Sequence, residues 1–163
     1  MEKVSFAAGC FWGVEHAFKQ IPGVLNTTCG YQGGQTTDPT YEDICKKETG
    51  HAEVVLVEFD SKIISFERLL DAFFFMHNPT ELNRQGPDVG TQYRSAIFPT
   101  TEEQRELSQK RIESMGPTVV TTIEEFDQFF DAETYHQKYL DKNPDGYCHI
   151  GLNVFKALKS GNY

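Results

Sequence analysis

The sequence lacks the cysteine and histidine spacings of a metal or thioredoxin-type site. None of its four cysteines forms a C-x-x-C pair, which excludes a zinc ribbon and a thioredoxin motif. The five histidines have no metal-ligand spacing either, so we expect no metal. In a reducing compartment four scattered cysteines are not a disulfide scaffold. Each of them is therefore a core residue or a reactive thiol.

Long apolar runs and excess positive charge are also missing. The longest aromatic-aliphatic run, 72–76, is too short to span a bilayer, and no basic stretch leads into an apolar segment at the start. We therefore expect a cytoplasmic protein without membrane contact. The net charge of -9 argues against a nucleic-acid surface, which is normally basic. The length of 163 residues and the ordinary composition predict a single domain over 1–163.

The apolar pattern predicts strands alternating with helices. The predicted strands are 2–8, 24–31, 51–59, 92–98 and 119–122, and the predicted helices are 10–20, 40–46, 66–77, 101–115 and 133–140. Within the first 98 residues the main elements run strand, helix, strand, strand, helix, strand. With right-handed crossovers this order predicts an α/β (α+β) fold, a ferredoxin-like two-layer α/β plait with a mixed sheet and an irregular C-terminal extension.

Cys10 lies between the first strand and the first helix. The free N–H groups at a helix start favour an anion, so a thiolate would be stabilised there. Gly9 and Gly13 allow a ligand close to the backbone, and Phe11 and Trp12 can form the wall of an apolar pocket. The alternative is that this segment is ordinary core, because buried cysteines and aromatic residues are common. Spacing alone leaves both interpretations open.

Glu53 is a candidate general acid. It shares one strand face with Val55, Val57 and Phe59, so its carboxyl should face packed surface, where desolvation raises the pKa. A carboxyl that is protonated at neutral pH suits proton donation. The alternative is a strand-end glutamate that bends into solvent.

The remaining candidates are individually ambiguous. Tyr41 and Tyr93 can donate hydrogen bonds into a pocket or simply pack, and Asp88, between two glycines, is a typical turn former. Cys148 lies in a late loop, where it is either incidental or a resolving cysteine. Cys29 in a strand is expected to be core filler, and Cys45 an inert or weakly exposed thiol.

Three segments together resemble one family. They are Gly-Cys-Phe-Trp-Gly-Val-Glu at 9–15, Tyr-Glu-Asp-Ile-Cys at 41–45 followed by Gly-His-Ala-Glu-Val-Val at 50–55, and Gly-Thr-Gln-Tyr-Arg-Ser at 90–95. The chain resembles peptide methionine sulfoxide reductase of type A. The resemblance assigns the nucleophile to Cys10 and the proton donor to Glu53. It assigns hydrogen bonds to the substrate oxygen to Tyr41 and Tyr93, and an apolar pocket for the substrate methyl group to Phe11 and Trp12. It makes Asp88 the carboxylate that organises the site.

The resemblance also implies a redox cycle. Cys10 becomes a sulfenic acid as methionine is released, Cys148 condenses with it, and thioredoxin reopens the Cys10–Cys148 disulfide. The implied substrate is the S epimer of methionine sulfoxide, free or in oxidised proteins and peptides, and no bound cofactor is implied. We expect a monomer. The chain departs from many members in lacking a long glycine-rich tail with recycling cysteines, and Asn78 stands where aspartate is expected.

Two other interpretations remain at this stage. Cys10 could be the nucleophile of a cysteine hydrolase or a thiol peroxidase, although a hydrolase needs a histidine base beside its cysteine. The chain could also be a ferredoxin-like binding module with Cys10 inert in the core.

Overall fold

The computed structural model describes residues 1–46 and 48–163 of the chain. The strands are β1 (Glu2–Ala8), β2 (Val24–Gln32), β3 (Ala52–Phe59), β4 (Arg84–Gln85), β5 (Asp88–Val89), β6 (Ser95–Phe98), β7 (Thr122–Ile123) and β8 (Phe130–Asp131). The helices are α1 (Phe11–Lys19), α2 (Tyr41–Lys46), α3 (Phe66–Met76), α4 (Glu102–Met115), α5 (Tyr139–Lys142) and α6 (Leu152–Ser160). Short 3-10 turns cover Thr91–Tyr93 and Thr134–His136.

Six of the strands form one sheet in the order β7-β6-β1-β3-β2-β8, and β4 and β5 form a separate hairpin. All neighbours are antiparallel except β6 and β7, which are parallel, so the predicted mixed sheet is confirmed. The chain leaves β1 through α1 and returns as β2, with β3 lying between the two strands. In the same way β3 and β6, joined through α3, lie on either side of β1. This order is compatible with the predicted plait.

The larger core lies between the sheet and helices α1, α3 and α6. Alternation along β1 directs Val4, Phe6 and Ala8 to this side, as the strand period of two requires. The Phe6 ring stacks between Phe18 of α1 and Phe73 of α3, with 4.9 Å between ring centroids in both pairs. Each such buried side chain contributes about 1.5–3 kcal/mol to stability. This packing fixes the start of α1 against the sheet.

The helix signals in the first two-thirds of the sequence are largely confirmed. The Ser65 hydroxyl accepts from Arg68 N at 3.1 Å and caps α3, whose predicted apolar face is buried. The Thr101 hydroxyl likewise accepts from Gln104 N and caps α4. In the described ranges 1–46 and 48–163, no helix is long and apolar enough to cross a membrane.

The last third differs from the sequence prediction. The continuous helix predicted over 133–140 is wrong: a 3-10 turn ends at His136, and Lys138 has a left-handed backbone with φ of 53° before α5 begins. Lys138 adopts this conformation where both its backbone N–H and its ammonium group bind Glu15. Helix α6, which packs against α1 and α3, was missed, and the strand predicted over 119–122 is displaced to β7.

Candidate active site

Cys10 occupies the junction between β1 and α1 that the sequence predicts. The preceding Gly9 has φ of 96°, and a Cβ there would lie 3.0 Å from both the Gln85 side chain and His149 Nε2. Only glycine fits this position without strain. Cys10 itself is the N-cap residue of α1 and is 9% exposed. The backbone therefore presents a nearly buried thiol at a helix start.

The surroundings of Cys10 act on its thiol in opposite directions. Burial raises its pKa far above the usual range, and the charges of Asp88 and, once it is ionised, Glu53 raise it further. The backbone N–H groups of Trp12 and Gly13 act in the opposite direction but do not offset burial. The helix-start N–H groups therefore favour the thiolate as the sequence predicts, but in the protein without substrate burial keeps the sulfur protonated at neutral pH.

Glu53 faces the packed side of β3, as the strand pattern predicts, and is 1% exposed. Its Oε1 accepts from Phe11 N at 3.1 Å. Its Oε2 is buried and has no hydrogen-bond partner in the part of the chain that the structure describes. Burial raises the pKa of Glu53 to about 8; the Phe11 N–H opposes this rise, and the charge of Asp88 adds to it. The carboxyl is therefore largely protonated at neutral pH, and one of its two oxygens has no hydrogen-bond partner among the described residues.

Tyr41 at the start of α2 and Tyr93 in the 3-10 turn before β6 are near enough to Glu53 for its charge to act on both phenols. Burial raises the pKa of both phenols, and the charge of Glu53 contributes to each shift. The charge of Cys10 also raises the pKa of Tyr93. Both hydroxyls therefore remain protonated donors across the physiological pH range. The Glu133 carboxylate fixes the start of α2 by accepting from Tyr41 N at 2.9 Å.

Trp12 is held by two residues that the sequence did not single out. Its Nε1 donates to His136 Nδ1 at 2.9 Å, and its ring stacks on Tyr139 with 3.7 Å between centroids. Trp12 is partly exposed, whereas Phe11 is 1% exposed and packs behind it against Tyr31 and His136. The accessible apolar wall is therefore mainly the indole. No local pattern marks His136 and Tyr139, because they meet Trp12 only through the tertiary fold.

Asp88 lies at the edge of the site on the β4–β5 hairpin. Its Oδ2 accepts from the Tyr147 hydroxyl at 2.8 Å, and its charge acts on both Cys10 and Glu53. The sequence singled out Asp88 but missed Tyr147. The one available signal was the position of Tyr147 directly before Cys148.

The other three cysteines have distinct surroundings. Cys148, in the loop between α5 and α6, is half-buried, and a Cβ on Gly13 would lie 2.9 Å from its sulfur. Cys29 is fully buried, and its thiol donates to Glu15 Oε1 at 3.3 Å. Cys45 is exposed. All four cysteines are free thiols. The sulfur of Cys148 lies against Gly13, and that of Cys29 contacts Phe11 O at 3.7 Å from the sheet side of α1.

Across the described residues, 1–46 and 48–163, no group of three or more histidine, cysteine or acidic side chains is arranged to hold a metal ion.

Comparisons with known proteins converge on one family. A family model described as peptide methionine sulfoxide reductase matches residues 2–161. The peptide methionine sulfoxide reductase MsrA of Methanothermobacter thermautotrophicus is 52% identical over 155 residues, which cover 91% of this chain and 92% of that protein. The fold is similar to the crystal structure of Mxr1 from Saccharomyces cerevisiae in reduced form, with a TM-score of 0.83 and 36% identity over 93% of this chain and 91% of that one. It is also similar to Mxr1 in complex with Trx2, with a TM-score of 0.56 and 26% identity over 85% and 84% of the two chains.

Proposed function

The chain belongs to the peptide methionine sulfoxide reductase family, and on that premise we propose that it reduces the S epimer of methionine sulfoxide to methionine through Cys10. The substrate is methionine sulfoxide in oxidised proteins and peptides or as the free amino acid. The observation that carries the proposal is the unpaired Oε2 of Glu53, buried beside a buried thiol. A protonated carboxyl with a free oxygen is suited to bind and protonate a sulfoxide oxygen, which a hydrolase or an inert core cysteine would not need.

The first step joins Cys10 and Glu53. The Cys10 sulfur attacks the sulfoxide sulfur while Glu53 donates a proton to the sulfoxide oxygen, and the proton released from the Cys10 thiol restores the Glu53 carboxylic acid. The oxygen ends on Cys10 as a sulfenic acid, two electrons pass to the substrate, and methionine leaves. General-acid assistance of this kind is worth about 10²–10⁴-fold in rate. The hydroxyls of Tyr41 and Tyr93 donate hydrogen bonds where negative charge develops on the oxygen.

We assign substrate binding to the apolar wall and to Asp88. The Trp12 ring, fixed by His136 and Tyr139 and backed by Phe11, would receive the S-methyl group. With the methyl group on the indole and the oxygen on Glu53, the two epimers differ in whether the lone pair or the rest of the methionine side chain points out of the site. A site that admits the side chain from one direction only would therefore accept one epimer and exclude the other.

Recycling is assigned to Cys148 and an external dithiol. Cys148 lies against Gly13, one helical turn after Cys10, so the two sulfurs belong to the same end of α1. Condensation of Cys148 with the sulfenic acid releases water and leaves a Cys10–Cys148 disulfide. A related enzyme, Mxr1, forms a complex with Trx2, and we propose thioredoxin as the reductant of this chain. The cycle needs no cofactor on the chain.

Two further assignments complete the proposal. Four free cysteines suit a reducing compartment, and we propose a cytoplasmic location. We also propose that residues 1–163 act as a single catalytic domain, because the site draws residues from α1, α2, β3, the β4–β5 hairpin and the loop after α5.

A single turnover without reductant tests the proposal. Reduced protein is mixed with excess racemic methionine sulfoxide, and methionine, the remaining epimers and free thiols are counted. We expect one methionine per chain from the S epimer alone and the loss of two thiols. Cys10→Ser should release none, and Cys148→Ser should release one methionine yet fail to turn over with thioredoxin. Folded, reduced wild-type protein that yields no methionine would refute the function.

A further inference from the structure

Cys148 and the next residue, His149, pack together on the first turn of α1. A Cβ built on Gly13 would lie 2.9 Å from Cys148 Sγ and 3.4 Å from His149 Nδ1. The imidazole therefore lies along the start of α1, with Nε2 toward Gly9 and Nδ1 toward Gly13. The two side chains approach the helix this closely only because Gly13 has no side chain. The pair meets beside Cys10, and the first step leaves His149 without a role.

The hydrogen bonds of His149 fix its tautomer. Nε2 lies 3.0 Å from the carbonyl oxygen of Ala8, and a carbonyl only accepts, so Nε2 carries a proton. In the neutral ring Nδ1 then holds a free lone pair. Nδ1 is buried and has no hydrogen-bond partner among the residues that the structure describes. A buried acceptor without a partner is costly, and such exceptions mark candidate functional groups.

The neighbouring thiol needs a base. Burial raises the pKa of Cys148, although its backbone contact with Ile150 lowers it in part. The Cys148 sulfur donates to Ile150 O at 3.2 Å, as a protonated thiol does. A disulfide forms by attack of a thiolate, so a protonated Cys148 must first lose its proton.

We propose that His149 Nδ1 is the general base that deprotonates Cys148 when it attacks the Cys10 sulfenic acid. This inference rests on the proposed function. The proton passes from Cys148 Sγ to Nδ1, and the sulfur electron pair forms the S–S bond while the S–O bond of Cys10 breaks. The leaving hydroxide takes a proton from the imidazolium and departs as water. Cys148 is oxidised, the sulfenic sulfur of Cys10 is reduced, and no other reactant is needed.

The surroundings keep the imidazole neutral and available. Burial lowers the pKa of His149, while its bond to Ala8 and the charge of Asp88 oppose this effect. The titratable side chains that line the groove beside His149 are His77, Glu81, Tyr147 and Cys148, and the charge of Asp88 also acts on the imidazole. The buried His77 has a pKa lowered to about 4, so it adds no positive charge near neutral pH.

The test separates the two chemical steps in single-turnover experiments. His149→Gln retains an N–H donor for the Ala8 carbonyl but has no base. We expect methionine to be released as fast as in the wild type, while the Cys10–Cys148 disulfide forms about 10²–10⁴-fold more slowly and the sulfenic acid accumulates. His16→Gln, which changes a partly buried histidine further along α1, is the matched control and should leave both rates unchanged.

A pH profile distinguishes a base from a structural support. Disulfide formation in the wild type should be nearly independent of pH between about 6.5 and 8, because neutral His149 accepts the proton. In His149→Gln the rate should rise about tenfold per pH unit, because it then follows the Cys148 thiolate fraction. Free imidazole should restore part of the rate of disulfide formation in His149→Ala. This second variant keeps the inference testable if His149→Gln does not fold.

Three results would overturn the inference. The first is a rate of disulfide formation in His149→Gln equal to that of the wild type. The second is a slowing of methionine release in His149→Gln as large as the slowing of disulfide formation. The third is a failure of imidazole to restore the rate of disulfide formation in folded His149→Ala. Failure of the proposed function has a different signature, the absence of methionine from the wild type. Disulfide formation that persists in Cys148→Ser would show instead that Cys148 is not the resolving cysteine, and would overturn the inference with it.

Discussion

Two glutamates, Glu15 on α1 and Glu53 on β3, are both 1% exposed, yet their surroundings are opposite. Glu15 Oε2 accepts from the Thr27 hydroxyl and the Lys138 ammonium, both at 2.8 Å, and Oε1 accepts from Lys138 N at 2.7 Å. Glu53 has one donor, Phe11 N, and its second oxygen has none in the described part of the chain. One carboxylate is fully satisfied, whereas the other is left with an open position.

The difference separates a structural carboxylate from a reactive one. A buried charge is stable only when it is paired and hydrogen-bonded, so Glu15 fastens α1 to β2 and to the segment before α5. Without a counter-charge, Glu53 instead avoids the cost of burial by remaining protonated. Its unpaired oxygen lies near Cys10, so a bound sulfoxide can form the hydrogen bond that this oxygen lacks in the free protein.

The largest expected effect is on chemistry. Glu53→Gln should slow single-turnover methionine release by about 10²–10⁴-fold, because the amide cannot donate the proton of a carboxylic acid. Glu15→Gln should change the rate per folded molecule by less than about tenfold. Quenched-flow counting of methionine measures both, and a larger loss in Glu15→Gln than in Glu53→Gln would reverse the proposed roles.

The same substitution should affect stability in a pH-dependent way. Below about pH 4.5 Glu53 is neutral in both the folded and the unfolded chain, so Glu53→Gln and the wild type should be about equally stable. As the pH rises, the unfolded carboxyl ionises first, and the wild type loses relative stability until about pH 8. At that pH the variant should be more stable by about 4 kcal/mol. Urea denaturation across this range tests the sign, and a pH-independent difference would refute the raised pKa.

Removing the cation from the satisfied carboxylate should cost stability. Lys138→Met leaves Glu15 buried without its counter-charge, so the free energy of unfolding at pH 7 should fall by about 3 kcal/mol. Adding Glu15→Gln to this variant should recover part of the loss, because no charge then remains buried. A double variant that is less stable by the sum of the two single effects would show that the ion pair is not coupled.

The smallest expected effect is the loss of one hydrogen bond to Glu15, the one that the Thr27 hydroxyl donates. Thr27→Val removes the hydroxyl that donates to Glu15 but nearly conserves volume, so the fold should lose about 1 kcal/mol. Methionine release per folded molecule should not change. A rate loss as large as that of Glu53→Gln would mean that the Glu15 network takes part in the chemistry.

The sequence predicted the parts of the molecule that depend on local pattern. Alternation placed Glu53 on the packed face of β3, and the i, i+3, i+4 pattern from Phe66 gave α3. The segment around Lys138 was predicted incorrectly as helix, because its left-handed turn depends on Glu15, 123 residues away. The contact between His136 and Trp12 spans 124 residues and leaves no local signal either. The burial that opposes a thiolate at Cys10 could not be predicted either, because the position at a helix start shows only the N–H groups that favour it.

The most direct test of the contrast between the two glutamates is the protonation state of Glu53 itself. Infrared spectroscopy of the reduced protein in heavy water can detect the carbonyl stretch of a buried protonated carboxyl. We predict that this band is present at pH 7, disappears with a midpoint near pH 8, survives in Glu15→Gln and is absent from Glu53→Gln. A wild-type spectrum without the band at pH 7, or a band that is lost in Glu15→Gln instead, would contradict the assignment of Glu53 as the proton donor.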